Sequence, residues 1–198
     1  LQILNLAPAR ARPPAMPTGV PSARQQAAPV SVLHPSVSGG STDGLLALHS
    51  LSKRSNLAGY RAAFVAGDPA LVGRLLEVRK HAGMIVPWPV QRALLAAVGD
   101  DAHVAAQREI YRARREVLRP ALEGFGLRID DSEAGLYLWA SAGEPSRVTV
   151  DRLAQRGILV APGDFYGAAG EQHVRVALTA TDQRIAMAAA RLAAGPAS

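Results

Sequence analysis

Only two lysines, Lys53 and Lys80, stand among 22 basic residues. A chain that carries its surface charge on arginine has a separate reason for a lysine. An ammonium loses its proton where its site is tuned, and a guanidinium effectively never does. A neutral amine then attacks an aldehyde and forms a Schiff base. Lys53 stands in Ser50-Leu51-Ser52-Lys53-Arg54-Ser55-Asn56-Leu57-Ala58-Gly59-Tyr60-Arg61. Two hydroxyls precede the amine within three residues, and a guanidinium follows it by eight.

The apolar run Gly44–His49 follows a glycine-rich turn and predicts a buried strand, and Tyr60–Gly67 predicts the next one. Lys53 therefore falls on the connection between two strands, and in open sheets rich in parallel strands ligands collect at strand ends. Helices are expected over 69–80 and 90–98, separated by the bend Pro87-Trp88-Pro89. The longest helical pattern runs from Asp100 to Glu123, with Val104, Tyr111 and Leu118 recurring at sevens. Its arginines 112, 114, 115 and 119, interleaved with Glu109 and Glu116, read as a solvated face. Beyond it come strand signals at 126–130 and 135–139, a helix over 147–156 ended by Gly157, and a strand at 158–161. A turn-rich loop at 162–167, a strand at 173–178 and a closing helix over 182–194 complete the pattern. Strands and helices in that order predict an α+β domain.

The lysine segment resembles the cofactor-attachment site of the class I/II (fold-type I) pyridoxal-phosphate-dependent aminotransferases. Ser50, Leu51, Ser52, Lys53, Asn56, Leu57, Gly59, Arg61, Ala62 and Ala63 fit that pattern. The resemblance implies that Lys53 holds the cofactor through its amine and shuttles a proton at the substrate α-carbon. It implies that Ser50 and Arg61 bind the cofactor phosphate, for which a planar fork of donors is suited, and that Ser52 helps orient the site. The end of the chain agrees. Gly157-Ile158-Leu159-Val160-Ala161-Pro162-Gly163 precedes the aromatic pair Phe165 and Tyr166 and a strand with one central Arg175. By resemblance Arg175 binds the substrate α-carboxylate, and the bend holding His81 and Trp88 lies near the active site and a dimer contact. On their own, His81 and Trp88 read as core or interface fillers.

The fold implied is α/β: the end of a large-domain sheet from a pyridoxal-phosphate transferase, followed by an α+β small domain. Residues 30–99 are expected to be the remnant of the large domain, and 100–198 the linking helix and small domain. Within the family, the segments 49–56, 81–91, 161–166 and 173–179 resemble the actinobacterial N-succinyldiaminopimelate aminotransferases. That implies transfer of an amino group between glutamate and N-succinyl-2-amino-6-oxopimelate, in diaminopimelate and lysine biosynthesis. Amino-acid and oxo-acid substrates and a homodimer are implied with it.

The resemblance spans only the later half of such an enzyme. The acid that pairs with the pyridine nitrogen, and the aromatic that stacks on the ring, have no counterpart in the pattern. Little turnover is therefore expected of the isolated chain, and the alternative is an inactive remnant or a partner-binding small domain. Residues 1–29 are rich in alanine, proline, arginine and glutamine, and are expected to be a disordered or aberrant low-complexity head. A shifted reading frame or a natural linker would each explain it. With no cysteine there is neither a disulfide nor a thiol nucleophile, and the five histidines show no metal-ligand spacing. The charge of +6 favours anionic ligands, but no nucleic-acid motif accompanies it. No apolar run is long enough to span a membrane, and the cytoplasm is the expected location.

Overall fold

The computed structural model describes residues 30–194. The expected head, residues 1–29, lies outside the described residues. The chain divides into two compact units that meet in sequence between Val104 and Ala105.

In the first unit, a single helical turn, α1 (Pro35–Ser38), leads to strand β1 (Leu46–Ser50). A second turn, α2 (Leu51–Arg54), and a 3-10 turn at Ala58–Tyr60 separate β1 from β2 (Ala63–Gly67). The two strands pair antiparallel, with His49 opposite Phe64 and Ser50 opposite Ala63. The expected strand at 60–67 thus begins three residues late. Arg61 sits at φ 50°, ψ 38°, a left-handed conformation that no strand accommodates. Helix α3 (Pro69–His81) starts at Asp68, whose carboxylate accepts the amides of Ala70 (2.8 Å) and Leu71 (3.3 Å). That is an N-cap followed by proline at the first helical position. Helix α4 (Trp88–Val98) follows the two-proline bend. Trp88 is 67% exposed, so it does not fill a core within this chain.

Helix α5 (Ala102–Gly124) begins where Asp100 accepts the Ala102 amide at 2.8 Å, and it carries most of its length into the second unit. There β3 (Arg128–Asp130), β4 (Tyr137–Ser141), β5 (Ala161–Pro162) and β6 (His173–Ala177) form an antiparallel sheet in the order β3-β4-β6-β5. Helices α6 (Ser146–Ala154) and α7 (Asp182–Ala193) complete it. Strand alternation sorts the residues. Leu138 and Ala140 on β4, with Val174 and Val176 on β6, join Leu118 and Leu122 of α5, Leu153 of α6 and Ile185 and Leu192 of α7 in the core. Tyr137, Trp139, His173 and Arg175 take the opposite face, half-buried.

Two expectations fail here for identifiable reasons. The strand expected at 158–161 is only Ala161–Pro162. The amide of Ile158 is already bonded to Leu153 O (3.0 Å) and that of Gly157 to Ala154 O (2.8 Å), with Gly157 at φ 66°. This is a Schellman closure of α6, and it draws those donors away from any ladder. Leu159 is left 91% exposed. The arginines of α5 are also not one solvated face. Arg112 and Arg119 do pair along the exposed helix surface with Glu109, Glu116 and Glu123. Arg115, however, is buried and donates to Gly135 O (2.7 Å), while Arg114 reaches Asp182 (2.6 Å) and Leu178 O (3.0 Å). The 3.6-residue period turns these two toward the sheet and α7.

Candidate active site

The lysine segment is a one-turn helix between two strand ends. Ser50 closes β1 and caps α2, its Oγ accepting the Ser52 amide at 3.1 Å. The same hydroxyl donates a long bond, 3.5 Å, to Ala62 O. Leu51 is fully buried and Ala62 nearly so. The Leu51 amide donates to Ala62 O (3.2 Å), and its carbonyl accepts from both Ser55 N (3.1 Å) and Leu57 N (3.2 Å). Leu51 is thus the anchor of the loop, and Lys53, two residues on, points outward from it. Lys53 is exposed and has no ion-pair or hydrogen-bond partner among the described residues. Ser52 is half-buried.

Arg61 ends the 3-10 turn, and its Nη1 donates to Ala58 O at 3.2 Å. A non-glycine residue in the left-handed region is uncommon, and such positions cluster where function over-determines the backbone. Asn56, at φ 52°, shares that region, where asparagine is enriched. The remaining guanidinium donors of Arg61 are exposed. These residues put an amine, two hydroxyls and a guanidinium fork on one loop, side-chain types that fit a phosphorylated aldehyde.

Arg175 belongs to the second unit. It lies in the centre of β6 opposite Trp139. Its guanidinium carbon stands 4.3 Å from the ring centre of Tyr137 and 5.2 Å from that of Tyr166, cation–π contacts that hold the group flat. Its Nε is buried and has no hydrogen-bond partner among the described residues. A buried donor without an acceptor is costly. Tyr137, Trp139, Tyr166 and Arg175, with the loop 131–136, line an open cavity of about 410 Å³. Ser132 shapes that loop, its Oγ donating to Asp130 O (2.6 Å) and accepting from Trp139 N (2.9 Å). Tyr166 arrives on a 3-10 turn, Gly163–Tyr166, held by the Arg147–Asp164 ion pair at 2.8 Å. His173 stacks on Trp139 (5.0 Å, 6° between planes) and reaches Asp130 at 3.0 Å. Arg128, and then His173, hold the Asp130 carboxyl below its ordinary value.

The sequence singles out Arg175 but not its cavity neighbours Tyr137 and Trp139. The signal was present in the period-2 alternation of Tyr137-Leu138-Trp139-Ala140, which puts both aromatic rings on the face of Arg175 once β4 and β6 pair. Nor does the sequence show that Arg54 and Ser55, beside Lys53, bond to residues 97–103. No local pattern encodes a pairing across more than 40 residues.

A family model for aminotransferase class I and II matches residues 18–192. This chain belongs to that pyridoxal-phosphate-dependent family. The chain is 68% identical over 164 residues to the 4-dedimethylamino-4-oxo-anhydrotetracycline transaminase OxyQ of Streptomyces rimosus, covering 83% of this chain and 46% of that protein. It is 66% identical to the probable aminotransferase Rv1178 of Mycobacterium tuberculosis, covering 84% and 40%. An LL-diaminopimelate aminotransferase of Oleidesulfovibrio alaskensis is 37% identical, covering 78% and 41%. Among solved structures, an aminotransferase of Neisseria meningitidis Z2491 superposes with a TM-score of 0.76 at 32% identity, over 85% of this chain and 45% of that one. The fold is therefore part of a pyridoxal-phosphate transferase fold, and the chain spans less than half the length of these relatives.

Proposed function

We propose that this chain carries the cofactor-anchoring lysine and the substrate-carboxylate arginine of an aminotransferase that exchanges an amino group between glutamate and an oxo acid. The observation that carries the reading is Lys53: an exposed amine, unpartnered among the described residues, on a one-turn helix, flanked in sequence by the hydroxyl of Ser50 and the left-handed Arg61. Pyridoxal phosphate, when bound, supplies an aldehyde and a ring that accepts electron density from the substrate α-carbon. Lys53 Nζ supplies the nucleophile and moves the proton at that carbon. Arg61 and Ser50 donate to the phosphate, Ser50 giving up only its 3.5 Å bond to Ala62 O. Ser52 fixes the Ser50 hydroxyl through its own amide. Arg175, on the wall of the cavity, pairs with a substrate carboxylate through the terminal nitrogens of its guanidinium.

For the oxo acid, the wording of the segments favours N-succinyl-2-amino-6-oxopimelate, and the 37% likeness to an LL-diaminopimelate aminotransferase supports a diaminopimelate-type substrate. A second reading rests on the 68% likeness to a transaminase named for an oxo-anhydrotetracycline: a bulky ring ketone as amino acceptor. The homodimer implied by the family is part of the proposal.

The test is a titration of the purified chain with pyridoxal phosphate, followed in the visible spectrum. A saturable absorbance shift is expected for the wild type, lost in Lys53→Arg and weakened in Arg61→Ala. A shift that persists in Lys53→Arg overturns the assignment.

A further inference from the structure

Helix α2 is one turn long, and a single turn does not hold itself together in water. Apolar burial around it is confined to Leu51 and Ala62. Something else must hold the turn that bears Lys53, and the two residues after the lysine show what does. The Arg54 side chain is only 16% exposed. Its Nη1 donates to Ala97 O at 2.6 Å, and its Nη2 to Asp101 at 2.6 Å. Ala97 lies in the last turn of α4, where carbonyls lack helical partners and a cation is favoured. The Ser55 hydroxyl lies 3.0 Å from His103 Nε2 and accepts a longer bond from Arg54 Nη1 at 3.4 Å. His103 Nδ1 lies 3.0 Å from the Asp100 carboxylate, whose other oxygen caps α5 at the Ala102 amide.

The bonds link into one network: Asp101 to Arg54, Arg54 to Ser55, Ser55 to His103, His103 to Asp100. In the tautomer whose Nδ1–H donates to Asp100, His103 Nε2 accepts a hydrogen bond from the Ser55 hydroxyl. The Asp100 carboxyl is held below its ordinary value, first by His103 and then by the Ala102 amide. The network ties the lysine turn to the corner between α4 and α5, over 43 to 48 residues of intervening chain.

We propose that Arg54 and Ser55, gripped by Ala97, Asp101 and the His103–Asp100 pair, are positioning residues that hold the Lys53 turn in register for its reaction with the cofactor aldehyde. The proposal rests on the Schiff-base reading of Lys53. The side chains of Arg54 and Ser55 are engaged on the corner between α4 and α5, while the Lys53 amine between Ser52 and Arg54 stays unpaired. The device separates two tasks: the neighbours fix the backbone, and the amine remains available.

The experiment uses the full chain and two readouts. Hydrogen exchange without cofactor reports residues 51–57, with the strands of the second unit as the folding control. Borohydride trapping with pyridoxal phosphate reports labelling of Lys53 relative to Lys80. Arg54→Ala and Ser55→Ala are expected to speed exchange across 51–57 about tenfold and to bring the labelling ratio toward parity. Ser55→Thr, which keeps the hydroxyl, is expected to restore both. Should Arg54→Ala disturb the control strands, Asp101→Asn is read in its place. Wild-type selectivity for Lys53 that survives unchanged in Arg54→Ala and Ser55→Ala overturns the positioning role and leaves the Schiff-base reading standing. Exchange that does not respond overturns it as well. A wild type that labels both lysines equally removes the Schiff-base reading, and the positioning role with it.

Discussion

The two units differ in what holds them together. The second unit packs thirteen buried apolar residues between one face of its sheet and helices α5, α6 and α7. Among its described residues the first unit buries two apolar side chains, Leu51 and Ala62, while Leu76, Val78, Ile85, Trp88 and Leu95 are all 60% exposed or more. Arg175 therefore stands on a sheet fixed by apolar packing, whereas Lys53 stands on a turn fixed by hydrogen bonds and an ion pair. Close-packed apolar cores hold geometry through the contact of many neighbours. Polar networks hold it only while every member is satisfied. The same chain thus anchors Lys53 and Arg175 by different physics, and perturbations should tell them apart.

The largest contrast is expected from truncating leucines. Leu138→Ala removes a fully buried side chain from the second unit, and a loss of about 2–5 kcal/mol is expected in denaturant unfolding followed at that unit. Leu76→Ala in the first unit, at a site 61% exposed, should change stability by about 0.5 kcal/mol or less. Equal losses at the two sites would erase the distinction.

Gly163→Ala sharpens the comparison inside the second unit. A methyl there meets the carbonyls of Gly170 and His173 and the Trp139 ring, so overpacking of about 1–3 kcal/mol is expected. Because Trp139 lines the Arg175 cavity, the tryptophan fluorescence should change as well. A variant as stable as the wild type, with unchanged fluorescence, would show that this wall is loose.

The smallest effect concerns acid. Asp130 is held below its ordinary value of 3.8, chiefly by Arg128. A depressed carboxylate contributes stability that is full above the unfolded value and is lost as pH falls through the folded one. Asp130→Asn should therefore cost about 1 kcal/mol or less near neutrality and flatten the fall in stability of the second unit below pH 3.8. An unaltered acid limb in urea titrations would mean that the pair contributes nothing.

Much of the fold was legible because its signals are local. The Asp68-Pro69 start of α3, the heptad of α5 and the Gly157 stop of α6 each declare themselves within a few residues. The succession of strands and helices in the second half was equally readable apart from 158–161, and the lysine pattern points to the family by itself. What escaped was settled by distant partners or by competition for the same donor. Ile158 reads as β-branched strand, yet its amide closes α6. Arg115 reads as surface charge, yet the helical period turns it onto Gly135. Arg61 reads as part of a strand, yet it adopts the left-handed conformation. The grip on Arg54 and Ser55 joins residues that no sequence window holds together.

The most direct measurement is the site of covalent trapping. The chain is incubated with pyridoxal phosphate, reduced with borohydride, digested and mapped by mass spectrometry. A pyridoxyl group is expected on Lys53, with Lys80, paired to Glu77 at 2.7 Å on the exposed face of α3, labelled far less. Equal labelling of the two lysines, or none on Lys53, would contradict it.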